Sequence, residues 1–253
     1  MPHTAPTPWR TVVLSPHFDD AALSLAGLIP GLPGPVAVVT VHGGAPAAGT
    51  PVSWWDSVCG FSSAAEAHAS RLAEDAEACA LLGAAQIVLD HPDGPYAEGA
   101  ELTGLDDFLT ELAPGTLVLA PLGSNQADHL AVRLRAMSVL AGRGEPLPRV
   151  YADLPYTGHL PEWGTPGACE ALAESPVVGP AYQELLRRYR ADVRSELRLT
   201  DEQWALKRSA VQRYGSQLAA LAADHGRFLS RTGPLSTELI WSLEALAPLE
   251  RTC

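Results

Sequence analysis

The chain has 253 residues, 47% of them hydrophobic and 18% charged, and its formal net charge is −12. This length accommodates one α/β domain or two small ones, and either can bury a substantial core. The acidic excess excludes a nucleic-acid groove as the main function, because such a surface would repel phosphates.

Short apolar runs rich in β-branched residues alternate with helical patterns up to about residue 155. The strand-like runs are Thr11–Ser15, Val36–Val41, Gln86–Asp90, Thr116–Ala120 and Arg149–Asp153, and the helical patterns include Ala64–Leu82 and Asp128–Leu140. Near-continuous apolar character is typical of strands covered on both faces, and Gly83 is a helix-stop signal. The order of elements predicts a Rossmann-like, doubly wound α/β fold with a mostly parallel sheet.

Two Gly- and Pro-rich segments, 43–51 and 155–167, are predicted to be long loops. After about residue 176 the sequence becomes charged and helix-like, first over 181–197 and again over 200–226. These C-terminal helices could form a separate bundle. We expect them instead to pack against the core sheet (about 10–155), because each is too short to complete a core alone. The sequence thus predicts a single domain over 1–253.

The four cysteines, Cys59, Cys79, Cys169 and Cys253, are scattered and form no C-x-x-C pair. We expect reduced thiols, as in cytoplasmic proteins. The chain has no start of the signal-peptide type and no apolar run of bilayer length, so we expect a cytoplasmic protein without a membrane partner.

An unusual polar cluster, Ser-Pro-His17-Phe-Asp19-Asp20, directly follows the first predicted strand. Ligands of open parallel sheets bind beyond the carboxyl ends of the strands. Adjacent carboxylates repel each other and lose solvation when buried, and a cation offsets both costs. If a helix begins near Asp19, the i,i+3 spacing lets His17 and Asp20 converge on one point while Asp19 projects elsewhere. The alternative is a helix cap with a solvated acidic first turn.

A second polar cluster, Gln126-Ala127-Asp128-His129, follows the fourth predicted strand. A catalytic zinc site needs three protein ligands and an open position for water. His17 and Asp20 supply two ligands, and the second cluster can supply the third. Two such clusters after two buried strands favour a zinc (Zn2+) site over a helix cap.

Both clusters resemble the signatures of the LmbE/PIG-L family of zinc-dependent de-N-acetylases and amidases, A/S-H-x-D-D after the first strand and H-x-D-H after a later one. Other similar segments are SWWDSVCGF (53–61), Arg71-x-x-Glu74 before LLGA, PDG (92–94), YADLPY (151–156) and KRSAVQRYGSQ (207–217). The resemblance implies that His17, Asp20 and His129 bind zinc and that Asp19 is the general base. Such a carboxylate takes a proton from water and later protonates the leaving amine.

The resemblance also implies a reaction: hydrolysis of an N-acyl, typically N-acetyl, bond in a small polar metabolite such as an amino sugar or a natural-product intermediate. An amidase for thiol conjugates of the mycothiol type is an alternative. A nucleotide-binding Rossmann module is a further one, but the first loop lacks the Gly-rich turn it needs. A non-catalytic protein that keeps the zinc site and binds a ligand stays open as well.

One position departs from the family pattern: Gln126 stands where the H-x-D-H signature has its first histidine. In relatives that histidine is thought to stabilise the oxyanion or to assist proton transfer. Glutamine donates a hydrogen bond but carries no charge. We expect His42, after the second strand, to replace it, with Gln126 itself as the competing donor and Asp128 as a further catalytic candidate. His91 and His159 can reach the same crevice or be ordinary loop histidines.

Substrate contacts are predicted at Arg71 and Asp93, which match polar substrate-binding positions of the family. Their alternatives are a helix-surface ion pair of Arg71 with Glu74 or Asp75 and a turn-forming Asp-Gly at Asp93. Trp54 and Trp55 either line the cleft or pack beneath it. The segment 214–217 either docks the C-terminal helices near the site or is purely structural.

Overall fold

The computed structural model describes residues 8–96 and 101–246, and its strands form one sheet. The strands are β1 (Thr11–Ser15), β2 (Val36–Thr40), β3 (Ala85–Val88), β4 (Leu117–Pro121), β5 (Arg149–Tyr151), β6 (Tyr189–Arg198) and β7 (Thr237–Ala245). Their order is β3-β2-β1-β4-β5-β7-β6. The first five strands pair in parallel, whereas β7 is antiparallel to both β5 and β6. The predicted fold class is confirmed.

Helices cover both faces of the sheet. They are α1 (Asp20–Leu25), α2 (Trp54–Val58), α3 (Ala64–Leu81), α4 (Thr103–Thr110), α5 (Ala127–Gly142), α6 (Ala168–Glu174), α7 (Pro180–Leu186), α8 (Asp201–Val211) and α9 (Leu218–His225). Successive residues of β1 point to opposite faces: Val13 packs with the core beneath α1 and α3, whereas Val12 and Leu14 pack with the core beneath α4 and α5. This explains why the strand reads as an unbroken apolar run.

The predicted helix ends agree closely with the structure. The side chain of Ser63 accepts a hydrogen bond from the backbone N–H of Glu66 and so caps α3. Gly83 follows the helix with φ +69°, a left-handed conformation that glycine adopts without steric cost.

The prediction of a helix over 181–197 was wrong in its second half. Helix α7 ends at Leu186, and Tyr189–Arg198 is the edge strand β6. Its partner β7 was not predicted at all. Arg, Glu and Leu favour helix locally, but pairing with β7 along nine residue pairs overrides that preference. The charged side chains of β6 are those of an exposed sheet edge. The prediction over 200–226 agrees with α8 and α9, and α8 packs against α1 and α3.

The topology creates a crevice between β1 and β4. From β1 the chain continues outward to β2 and β3, whereas β4 leads to β5 on the opposite side. The loops after these two strands therefore diverge at their carboxyl ends, where ligands bind in such sheets. Within the described residues no helix combines the length and apolar character needed to cross a bilayer. Cys59, Cys79 and Cys169 are free thiols, and Cys253 lies outside the described residues.

Candidate active site

The loop after β1 presents the first polar cluster to the crevice. Ser15 Oγ donates to the carbonyl oxygen of His17 (2.6 Å) and accepts from the backbone N–H of Ala21 (3.0 Å), which fixes the turn into α1. Asp19 occupies the N-cap position of α1, but its side chain makes no capping hydrogen bond. Its carboxylate is therefore not committed to the helix, which argues against the helix-cap alternative.

Three side chains converge at the crevice between the carboxyl ends of β1 and β4. Asp20 Oδ2 lies 3.3 Å from His17 Nδ1 and 3.2 Å from His129 Nε2. The three ligand atoms lie within 4.8 Å of one another, so one cation can contact all of them. Two imidazole nitrogens, one carboxylate oxygen and an open side make a donor set suited to catalytic zinc.

The distal nitrogens of both histidines face carboxylates. His129 Nδ1 lies 2.8 Å from Asp153 Oδ1, while Asp153 Oδ2 accepts the backbone N–H groups of Gly123 and Ser124, each at 2.7 Å. Carboxylates in this position fix the tautomer and orientation of a metal-binding histidine. The arrangement leaves Nε2 of His129 free to bind a cation.

His17 is held in the same way by two acidic side chains. Its Nε2 lies 3.2 Å from Asp93 Oδ1 and 3.3 Å from Asp128 Oδ2. A Cβ on Gly94 would lie 2.8 Å from Asp128 Oδ2, so a side chain at this position would displace the Asp128 carboxylate. His17, Asp93 and Asp128 are also close enough to hold a cation by themselves. Because that set uses the other nitrogen of His17, we interpret Asp93 and Asp128 as acceptors of its ring N–H.

The electrostatic field at the three convergent side chains favours positive charge. Burial opposes protonation of His129, but the Asp20 and Asp153 carboxylates outweigh it and raise the pKa of His129 to about 9. The same histidine holds the pKa of Asp20 far below its usual range, although burial alone would raise it. A site that holds a proton this firmly also stabilises a cation, and cation and proton compete for the same nitrogens.

Asp19 is buried beside this cluster without being part of it. Burial and the neighbouring charge of Asp20 raise the pKa of the Asp19 carboxyl to about 7. A carboxylate with a pKa near neutrality is well matched to general acid–base work. Asp19, His17 and Asp20 all line one cavity of about 500 Å³.

His42 lies in this cavity, and one of its ring nitrogens already has a hydrogen-bond partner. Its Nδ1 is 3.1 Å from the carbonyl oxygen of Pro92, which can only accept, so Nδ1 carries the proton. Nε2 is buried without a hydrogen-bond partner among the described residues. Burial and the adjacent His17 lower the pKa of His42, so the neutral ring presents a lone pair at Nε2. This geometry opposes the expected role of His42 as a hydrogen-bond donor.

Gln126 directly precedes α5 and lines the same cavity. Asn125 before it adopts a left-handed conformation with φ +61°, which turns the chain from the loop after β4 into the helix. Gln126 Nε2 donates a hydrogen bond to the hydroxyl oxygen of Tyr156 at 2.9 Å. Gln126, which stands where the family signature has a histidine, is thus hydrogen-bonded to a tyrosine of the same cavity.

Two other histidines lie apart from the convergent ligands. His91 is buried, and its Nε2 accepts the backbone N–H of Leu105 at the start of α4, so its contact is structural. His159 stacks on His225, with ring centroids 5.2 Å apart, at the rim of an adjoining cleft.

The predicted substrate contacts fall around the cavity. Arg71 lines it, but Arg71 Nη2 lies 2.5 Å from Asp56 Oδ1, so its partner is Asp56 and not the predicted Glu74 or Asp75. Asp93 lines the cavity and contacts His17. Trp54 is 75% exposed at the mouth, and Trp55 Nε1 donates to Gln217 Oε1 at 3.5 Å.

Sequence reasoning assigned no role to Asp153, Tyr156 or Asp56. Asp153 and Tyr156 follow β5, whose carboxyl end lies beside that of β4. The rule that pointed to the loops after β1 and β4 applies equally to β5, and it would have found Asp153. Asp56, in α2, had no comparable signal.

Comparisons with known proteins agree with this fold. The family model described as PIG-L: GlcNAc-PI de-N-acetylase matches residues 12–140, and no curated protein sequence matches the chain. A triple mutant of a deacetylase of the teicoplanin biosynthetic pathway is 24% identical, with a TM-score of 0.70 over 94% of this chain and 98% of that one. The A40926 pseudoaglycone deacetylase Dbv21 is 25% identical, with a TM-score of 0.70 over 96% and 100%. The N,N'-diacetylchitobiose deacetylase from Pyrococcus horikoshii is 18% identical, with a TM-score of 0.54 over 94% and 84%.

Proposed function

The chain belongs to the PIG-L family, and we propose that it is a zinc-dependent hydrolase that removes an acetyl or related acyl group from the nitrogen of a small polar metabolite. The observation that carries this proposal is the convergence of His17, Asp20 and His129 with carboxylates behind both histidines. The structurally similar proteins described as deacetylases support the acetyl group, and family membership supports an amino-sugar substrate.

The residues of the cavity suit amide hydrolysis. When bound, zinc acidifies a water molecule and polarises a carbonyl group. Asp19 accepts the proton of the attacking water and passes it to the nitrogen of the leaving amine. Asp153 and the pair Asp93 and Asp128 hold the imidazole rings of the two histidine ligands. The cavity volume of about 500 Å³ suits a small molecule.

Metal analysis and an acetate-release assay on the same preparation test the proposal. We expect about one zinc per chain and acetate release from some members of a panel of N-acetylated amino sugars, free and attached to aglycones. Mycothiol-type thioether amides belong in the panel, because hydrolysis of these alone would favour the amidase alternative. His129→Ala should lose both metal and activity, while an exposed substitution such as Asp107→Asn serves as the control.

Two outcomes contradict the proposal. Near-stoichiometric zinc in a chain that lacks both His17 and His129 would exclude the assigned ligands. Zinc-loaded protein that binds panel members without cleaving any of them would indicate the non-catalytic alternative.

A further inference from the structure

Resting on the proposed function, we infer that the hydroxyl of Tyr156 donates the hydrogen bond that stabilises the oxyanion of the amide carbonyl, and that Gln126 positions this hydroxyl. Gln126 stands where the family signature has its first histidine, and Tyr156 is its hydrogen-bond partner. Tyr156 is then a catalytic residue and Gln126 a positioning residue.

The hydrogen-bond direction carries the inference. Gln126 Nε2 donates to the Tyr156 oxygen at 2.9 Å, so that oxygen acts as acceptor and its own proton is free for another partner. Both residues line the cavity that also contains His17, Asp19 and Asp20. A tyrosine hydroxyl, with an ordinary pKa of about 10, is protonated at neutral pH and so remains a donor.

Neighbouring groups hold the tyrosine ring in place beside the ligands. Its centroid lies 6.2 Å from that of His129 and 5.4 Å from that of His225, both in edge-to-face arrangement. The following turn is tied back, because the N–H and the hydroxyl of Thr157 each donate to the carbonyl oxygen of Asp153 at 3.0 Å. Preorganised donors of this kind contribute more to the rate than mobile ones.

The competing candidates are less suited to the task. His42 already donates from Nδ1 to the carbonyl oxygen of Pro92, which leaves a lone pair at Nε2 of the neutral tautomer. In the competing arrangement the oxyanion accepts from Gln126 itself, because its amide nitrogen carries two N–H groups and only one of them donates to Tyr156. The two arrangements predict opposite orders for the losses in kcat caused by Tyr156→Phe and Gln126→Ala.

The experiment compares Tyr156→Phe with Gln126→Ala in the zinc-loaded protein. Tyr156→Phe should lower kcat on the order of 100- to 1000-fold, with zinc content unchanged and little change in KM. Gln126→Ala should lose less, because the hydroxyl remains. Tyr189→Phe, on the remote edge strand β6, is the matched tyrosine control and should keep full activity.

A second measurement does not depend on turnover. A methylphosphonamidate analogue of the amide presents a tetrahedral anionic oxygen, and calorimetry gives its affinity. Tyr156→Phe should weaken this affinity by a factor similar to its loss in kcat, while the affinity for the amine product stays the same.

Three results would overturn the inference. They are a Tyr156→Phe enzyme with kcat and analogue affinity within about threefold of wild type, a larger loss for Gln126→Ala than for Tyr156→Phe, or loss of zinc from Tyr156→Phe. Failure of the wild-type protein to hydrolyse any amide would instead contradict the proposed function, and the analogue affinities would still test Tyr156.

Discussion

Asp153 Oδ1 lies 2.8 Å from His129 Nδ1, and Asp153 itself is 1% exposed at the end of β5. Its second oxygen is occupied by the backbone N–H groups of Gly123 and Ser124, so the carboxylate cannot rotate away without breaking both bonds. The contact therefore fixes the proton of His129 on Nδ1 and leaves Nε2 as the metal-facing nitrogen.

Asp153→Asn should lower zinc affinity by about 10- to 100-fold. The asparagine keeps the size of the side chain, and its oxygen satisfies the two backbone donors. Its amide N–H then faces His129 Nδ1, which favours the tautomer with the proton on Nε2 and blocks the metal-facing position. Competition with a chromophoric chelator measures the change.

Asp128→Asn is the matched comparison on the other histidine ligand. Asp93 Oδ1 still lies 3.2 Å from His17 Nε2, so one carboxylate remains to hold that ring. The affinity loss should be smaller than for Asp153→Asn. The opposite order would show that Asp153 does not control the tautomer of His129.

Asp19→Asn should leave zinc content unchanged and lower kcat by about 100- to 10,000-fold. Asp19 is not among the three convergent ligand atoms, and asparagine cannot accept the proton of water. Steady-state kinetics with parallel metal analysis checks both parts. An unchanged rate would assign the base to another group.

The first half of the chain was predictable because its signals are local. Thr11–Ser15 is strand β1 with the predicted bounds, since a strand buried on both faces needs an unbroken apolar run. Strands β6 and β7 were missed because their residues form no unbroken apolar run, and pairing with each other, as in the register Arg198 to Thr237, stabilises them. Such pairing leaves a weak local signature in a charged edge strand.

The residues of the site also fall into two groups: those that local sequence signals predict and those whose roles depend on contacts distant in sequence. The convergence of His17 and Asp20 follows from a strand end and an i,i+3 spacing, both visible in the sequence. The roles of His42 and Tyr156 depend on which group each side chain meets in space. Pro92, 50 residues beyond His42, and Gln126, 30 residues before Tyr156, are contacts that no spacing rule supplies.

Breaking the buried ion pair of Lys207 and Glu238 should cost about 3–5 kcal/mol of unfolding free energy. Both side chains are 0% exposed, with Nζ and Oε1 2.8 Å apart. Glu238 also accepts the backbone N–H groups of Gly27 and Leu28 at 2.8 and 2.9 Å, so it ties α8 and β7 to the end of α1. Lys207→Met would leave a buried carboxylate without its cation. Urea unfolding measures the loss.

The exposed pair of Arg213 and Glu77 provides the control, with side chains 49% and 63% exposed. Arg213→Met should change stability by less than about 1 kcal/mol, since water screens exposed pairs. Similar losses for Lys207→Met and Arg213→Met would mean that the buried pair contributes no more than a surface one.

Asp75 should make stability fall as pH rises from about 4 to about 6. It is 0% exposed between α3 and the sheet, and burial raises the pKa of its carboxyl to about 6 despite hydrogen bonds from Tyr214 and Gln86. The native state therefore holds this proton more tightly than the unfolded chain does. Ionising Asp75 in the native state costs on the order of 3 kcal/mol, a cost absent below pH 4 and complete above pH 6.

Asp75→Asn removes this titration, so the variant should gain stability relative to wild type across that interval, by up to about 3 kcal/mol. Other carboxyl groups titrate in both proteins, and the difference between the two urea-unfolding series cancels them. Asp107→Asn, at an exposed position of α4, controls for the loss of one acidic residue. Its stability should change with pH in the same way as that of the wild type. A constant difference between Asp75→Asn and wild type from pH 4 to pH 7 would show that Asp75 is ionised throughout. In that case the hydrogen bonds from Tyr214, Gln86 and Thr40 outweigh the cost of its burial.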